Sequence, residues 1–297
     1  MASRTPSTDL TEIFASKYSV FQSISFASLY LFLKTWLIFL STTTSQPNDI
    51  SLLIMSTIVT AFITNINSID FRDIETYMEY GKKLLLQSVP TICFLEERVF
   101  NHFFKDEEQN YINTKFIIFE KNENYLYEYE KKLTKFDLHT DNPNKDTTGY
   151  MFIQCHKTEW IRQAIELNPY NTSNFMWIDF GIYHMIKDDL EFAICVSEAT
   201  RKKYNSLRIA SCVDPNMLFE KDIYKDVAWF FAGSVFGGDS KSLIKFADNM
   251  KKKCIDIIET KNHLMWEVNI WWLLYKQDNS YFSPYGTDHN VLILQNY

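Results

Sequence analysis

The sequence predicts an α/β fold, a mainly parallel central sheet flanked by helices, with an added N-terminal segment. Three observations carry this. Runs such as "LLIMSTIVTAFITNI" (52–66) are rich in β-branched residues and apolar on both faces, as strands buried between helical layers are. Helical patterns alternate with these runs at the spacing of right-handed crossovers. The chain of 297 residues is 46% hydrophobic with only 7 Gly and 7 Pro, enough apolar surface for a large core and too little Gly and Pro for disorder.

Each element follows in order. After the 52–66 strand, "DIETYMEYGKKLLLQS" (73–88) reads as a helix stopped before Pro90. "TICFLEE" (91–97) and "TKFIIFEK" (114–121) are the next strands. The polar segment 136–150, "FDLHTDNPNKDTTGY", is an exposed loop of a length that often carries function. "TEWIRQAIELNPY" (158–170) is a helix ended by Asn168-Pro169. "FMWIDFG" and "LRIASC" (207–212) are strands. "VAWFFAGSVFGGDSKSLIKFADNM" (227–250) passes from strand to helix with Asp239 or Ser240 as the cap. The stripe Leu243, Phe246, Ala247, Met250, Cys254, Ile257, Ile258 then keeps the 3.6-residue period. A last helix spans roughly 262–276, and "YGTDHNVLIL" closes the chain. Residues 1–50 form a separate extension and linker, and 51–297 the main domain.

Charge and cysteines narrow the function. A net charge of −7 gives no electrostatic footprint for nucleic acid, and "KKK" at 251–253 suits the solvated face of a helix. Five widely spaced cysteines without a CxxC pair argue against structural zinc and a disulfide framework, and for free thiols in a reducing compartment such as the cytoplasm. The stretch 20–41, "VFQSISFASLYLFLKTWLIFLS", nearly reaches bilayer length but carries Lys34 near its middle, which costs about 2.5–3.5 kcal/mol on insertion. It is either a helix or hairpin packed on the domain or a membrane-associating segment; a cleavage signature is lacking.

Four places hold candidate chemistry. Asp179 follows the apolar strand "FMWI", at the carboxyl end where open α/β sheets bind ligands, and Gly181 clears space beside it. Asp179 either binds a divalent ion or caps a turn. In "FFAGSVFGG", Ala232, Gly233, Gly237 and Gly238 allow close approach of a ligand or tight packing of another backbone. "WEVNIWW" sets Glu267 and Asn269 among Trp266, Trp271 and Trp272, which suits stacking of a sugar beside a carboxylate or a core helix with one surface Glu. His289 and Lys157 are each either ligand-binding or ordinary surface residues.

Taken in order, "VTAFITNIN", "FMWIDFGI", "FFAGSVFGG" and "WEVNIW" resemble the HtrL/YibB-like family of glycosyltransferases, a branch of the GT-A fold found in bacterial surface-polysaccharide loci and large DNA viruses. The resemblance covers residues 57–297. It implies that Thr60, Ala61 and Phe62 hold the nucleoside, and that Asp179 occupies the divergent DxD-type position, with Gly181 where a second Asp would stand. It implies His289 as a C-terminal metal or diphosphate ligand, Lys157 as a basic residue touching diphosphate or donor sugar, Ala232 and Gly233 as lining of the donor sugar, and Glu267 as the acid of the acceptor-side helix. The implied cofactor is a divalent cation, Mn or Mg, and the implied partners are a nucleotide-diphosphate sugar, a UDP-sugar foremost, and a glycan or protein acceptor. Glu267 would serve as general base or as polar partner of the donor sugar. The location implied is cytoplasmic, peripheral to a membrane if 20–41 associates with one, and viral or host cytoplasm for a viral chain. The absent second Asp points to the alternative, a catalytically degenerate GT-A domain that binds a glycan or partner.

Overall fold

The computed structural model describes residues 55–64, 73–133 and 137–297. The expectations for 1–50, including membrane association through 20–41, lie outside these residues. Among the described residues no helix is long and apolar enough to cross a membrane.

Seven strands form one sheet: β1 (Thr57–Phe62), β2 (Thr91–Leu95), β3 (Thr114–Ile118), β4 (Asn174–Ile178), β5 (Leu207–Ser211), β6 (Phe231–Asp239) and β7 (Phe282–Gly286). In space they run β3-β2-β1-β4-β6-β5-β7. All neighbouring pairs are parallel except those of β6, which runs antiparallel to both β4 and β5. The main helices are α1 (Ile74–Leu85), α2 (Glu97–Phe103), α3 (Thr148–Leu167), α4 (Asp189–Arg201), α5 (Ser240–Lys261), α6 (Glu267–Gln277) and α7 (Leu292–Gln295). The expected mixed α/β architecture with a mostly parallel, helix-flanked sheet is present.

β4 shows why these runs fold as strands. Its five residues are all buried, with Phe175 and Trp177 on one face and Met176 and Ile178 on the other, the period-2 alternation of a sheet covered on both sides. On one face Trp160 of α3 stacks on Trp177 at 5.8 Å between centroids, and Trp177 in turn stacks on Phe236 at 6.3 Å. Asp239 caps α5, its side chain accepting from Ser242 N at 3.0 Å. All five cysteines are unpaired and four are buried.

Three boundaries differ from expectation. α3 begins at Thr148, ten residues before the expected start, because Thr147 caps it by accepting from Tyr150 N at 3.1 Å. Lys157 therefore sits in mid-helix rather than ahead of it. α6 begins at Glu267, so the residues after Asn262 are a connection; Asn262 ends α5 in the left-handed conformation at φ 47°. The polar segment is irregular only as far as Thr147 among its described residues.

Candidate active site

The chain order itself makes a site. It runs outward from β1 to β2 and β3, then returns to place β4 on the other side of β1. The crevice beyond the carboxyl ends of β1 and β4 is thus the switch point where open α/β sheets bind ligands. β6, running the opposite way, starts at that same end: Ile178 pairs with Val235, and Asp179 N donates to Ser234 O at 2.9 Å. A cavity of about 830 Å³ opens there, within the range of small-molecule sites.

At its floor Lys157, 3% exposed in its side chain, reaches from α3 toward three acceptors. Its Nζ lies 3.0 Å from Asp179 Oδ1, 3.2 Å from Glu267 Oε1 and 3.0 Å from the Gly233 carbonyl. An ammonium has three N–H donors, and these contacts use them all. Trp177 Nε1 donates to the same Asp179 oxygen at 2.7 Å. Burial alone would depress the Lys157 pKa, but the Asp179 and Glu267 carboxylates outweigh it and hold the pKa above the usual lysine value. Glu267, 7% exposed, is the first residue of α6, where the helix dipole favours negative charge. Gly233 is required in this arrangement: a Cβ there would overlap the Glu267 carboxylate and lie 3.3 Å from Lys157 Nζ.

Ala61, Phe62, Ala232, Gly233, Lys157, Asp179, Trp266, Glu267 and His289 all line the cavity. Lys157 departs from the role expected for it, since its donors are spent on protein acceptors and it acts as a clamp between two carboxylates. Four expected binding residues lie elsewhere. Thr60 is fully buried in β1. Asn269 is also fully buried; its amide donates to Ile223 O at 2.7 Å and Asp226 O at 2.8 Å, and its oxygen accepts from Ala228 N at 2.8 Å. Asn269 thus pins the 223–228 loop. Gly237 gives room to the Tyr297 hydroxyl and the Phe175 carbonyl, and Gly238, at φ 152°, to the Ser206 carbonyl. The indole cluster expected to stack a sugar is core: Trp271 is fully buried, and Trp272 stacks on Phe230 at 5.0 Å. Glu267 is buried rather than a surface acid.

Other lining residues have little sequence signal. Trp229 stands on the wall at 56% exposure. His184 lies five residues beyond Asp179, its Nδ1 donating to Gly181 O at 2.6 Å, since a carbonyl can only accept. The 139–146 segment lines the wall as well, held by a bridge to Asp226 and by Lys225–Asp137 at 3.0 Å.

Among the described residues no three His, Cys, Asp or Glu side chains converge as a metal cage. The donors present, Asp179 and His289 in the lining of one cavity, fit a divalent ion that arrives with a diphosphate and takes only one or two protein ligands.

No protein-family model and no curated protein matches the chain. Among solved structures, the apo form of mouse xyloside xylosyltransferase 1 is similar with a TM-score of 0.40 and 9% identity over 77% of this chain and 84% of that one. The 4-diphosphocytidyl-2C-methyl-D-erythritol synthase of Anaerococcus prevotii is similar with a TM-score of 0.36 and 8% identity over 82% and 92%.

Proposed function

We propose that the protein is a glycosyltransferase of the GT-A kind, moving a sugar from a nucleotide-diphosphate donor, a UDP-sugar foremost, to a hydroxyl of a glycan or protein acceptor. The observation that carries this reading is the Lys157 clamp: two carboxylates held by one buried ammonium at the switch point, facing a cavity of about 830 Å³. The motif resemblance to the HtrL/YibB-like family supports the same reading.

In this scheme the nucleoside lies against the end of β1 at Ala61 and Phe62. Asp179, 38% exposed, faces the diphosphate side of the cavity. Asp179 and His289 would hold a divalent cation, Mn or Mg, which when bound offsets charge on the departing diphosphate by several kcal/mol. The acceptor oxygen bonds to the anomeric carbon, the bond from that carbon to the diphosphate oxygen breaks, and its electron pair leaves with the nucleotide. Glu267 takes the hydroxyl proton, a contribution of about 10²–10⁴ in rate. Lys157 sets the position of that carboxylate without touching the substrate.

The alternative is a GT-A domain that binds a glycan or partner without catalysis. It is favoured by Gly181 at the second DxD place and by a clamp whose donors are satisfied internally. Melting curves with UDP, GDP, CMP and ADP, each with and without Mn²⁺, test the transferase. Ligand at a hundred times its Kd stabilises by about 2.7 kcal/mol, a shift of roughly 5–10 °C for this size. The expected result is a shift with one nucleotide, lost with transfer in Asp179→Ala. A flat panel, with glycan binding that survives Asp179→Ala, would establish the binding module.

A further inference from the structure

Position 181 holds glycine where a second carboxylate would strengthen a cation site, yet its backbone contributes something else. Its carbonyl accepts the Nδ1 proton of His184 at 2.6 Å. This bond fixes the tautomer: with the proton on Nδ1, the neutral ring carries its lone pair on Nε2. A backbone carbonyl behind one ring nitrogen is the usual way a metal-binding histidine is oriented. A side chain at 181 would crowd the Tyr77 ring, since a Cβ there would come 2.8 Å from it. The second imidazole is His289, whose ring centroid lies 5.8 Å from that of His184. Two imidazoles on one ion, with metal–nitrogen bonds of about 2.0–2.1 Å, place their centroids about 4.5–5.5 Å apart. A small side-chain adjustment covers the difference, and both rings are exposed on the wall of the cavity that Asp179 also lines.

We propose that His184 and His289 together hold a divalent ion through nitrogen, and that this pair replaces the carboxylate missing at 181. The inference rests on the transferase reading, because the remaining ligands are Asp179, directly or through water, and the oxygens of a nucleotide diphosphate. Its chemical consequence is selectivity. Magnesium prefers oxygen and tolerates few nitrogen ligands, whereas imidazole suits the later first-row ions, whose affinity rises from Mn²⁺ through Co²⁺. The site therefore favours a transition metal over Mg²⁺ and holds it weakly until the diphosphate arrives.

The test uses the full chain at constant pH with UDP, or whichever nucleoside diphosphate binds best, and Co²⁺, Mg²⁺ or EDTA. Co²⁺ binding is read from its visible absorption, which responds to nitrogen ligation, and nucleotide affinity from calorimetry. The expected result is nucleotide binding at least tenfold tighter with Co²⁺ than with Mg²⁺. His184→Ala and His289→Ala should each remove that preference and the nitrogen signature, a tenfold to hundredfold loss of Co²⁺-supported nucleotide affinity. Both residues are exposed, and unchanged melting of the free variants separates this from a folding defect. Nucleotide binding that is equally tight in EDTA overturns the proposal and leaves the transferase standing. Co²⁺ binding unaltered in His184→Ala overturns it too. No nucleotide effect under any condition overturns the transferase reading, and the proposal with it.

Discussion

The floor and the rim of the cavity are built on opposite terms. At the floor, Lys157 and Glu267 are 3% and 7% exposed, and the ammonium has an acceptor for each proton. On the rim, His184, His289 and Trp229 are exposed and sit on short connections. Desolvating two charges costs several kcal/mol each, and only close geometry repays it. A fully satisfied floor therefore fixes the positions of two carboxylates, while the rim stays accessible to ligands. The comparison predicts that floor substitutions act mainly on folding and chemistry, and rim substitutions mainly on binding.

The largest effect belongs to Lys157→Met. It leaves Glu267 buried without its counter-charge, and breaking a buried pair in this way costs about 3–5 kcal/mol. Denaturant unfolding should show a lower midpoint, and melting a drop of roughly 6–20 °C. Glu267→Gln, which leaves Lys157 paired with Asp179, should cost clearly less stability while lowering transfer by about 10²–10⁴-fold. Equal losses in the two variants would break the distinction between clamp and base. The clamp also has a defined pH window. Because the folded pKa of Lys157 is raised, its stabilisation is complete below the ordinary lysine value and disappears only as pH climbs through the raised one.

Next in size is Gly233→Ala. The added Cβ overlaps the Glu267 carboxylate, so Glu267 or β6 must move. A misplacement of about 1 Å costs on the order of 10²-fold in rate. Nucleotide binding should persist, because Gly233 lies on the Glu267 side of the clamp. Loss of nucleotide affinity with transfer intact would show that this stretch of β6 lines the nucleotide.

How much of this was legible depends on what each feature does to a sequence pattern. The strands were readable because burial on both faces leaves continuous apolar runs, and α5 because its stripe keeps one period over about four turns. The early part of α3, "TGYMFIQCHK", was not, because it buries Cys155, His156 and Lys157 in succession and so shows no polar face. Lys157 and Glu267 look like surface charges in a sequence; their burial arises from a contact between residues on α3 and α6 that share no local motif. Strand direction leaves no mark on composition, so β6 gave no sign of running antiparallel. Asn269 sits two residues from Glu267 in the same short motif yet faces a loop, since helix residues two apart diverge by about 200°.

His156 adds a prediction for the floor's surroundings. It precedes Lys157 on α3, fully buried among Trp160, Phe119 and Tyr125 at 4.9, 5.3 and 5.5 Å, and neither ring nitrogen has a hydrogen-bond partner. Burial, with a further push from Lys251, lowers its pKa from 6.5 to about 3. Below pH 6.5 the unfolded chain takes up a proton that the folded chain refuses until about pH 3. Stability is thus intact above 6.5 and falls as pH decreases, by about 2 kcal/mol at pH 5. His156→Phe should remove that part of the acid slope in urea titrations between pH 7 and 5, and an unchanged slope would place the acid sensitivity elsewhere.

The smallest effect on folding and the sharpest on the comparison belongs to Trp229, set against a second tryptophan of the same cavity. Trp266 is 5% exposed and Trp229 is 56% exposed. Replacing the buried indole with alanine opens a void worth about 3–5 kcal/mol, whereas Trp229→Ala should change stability by less than about 0.5 kcal/mol. An exposed aromatic face opposite polar groups is where the apolar side of a sugar ring packs. Trp229→Ala should therefore raise the acceptor KM several-fold with kcat nearly unchanged, the signature of binding energy shared equally by ground and transition states. Trp229→Phe, which keeps a smaller ring, should recover part of it. If both variants leave the acceptor KM alone and the nucleotide KM rises instead, the rim at Trp229 serves the donor, and the acceptor must enter past the 139–146 segment.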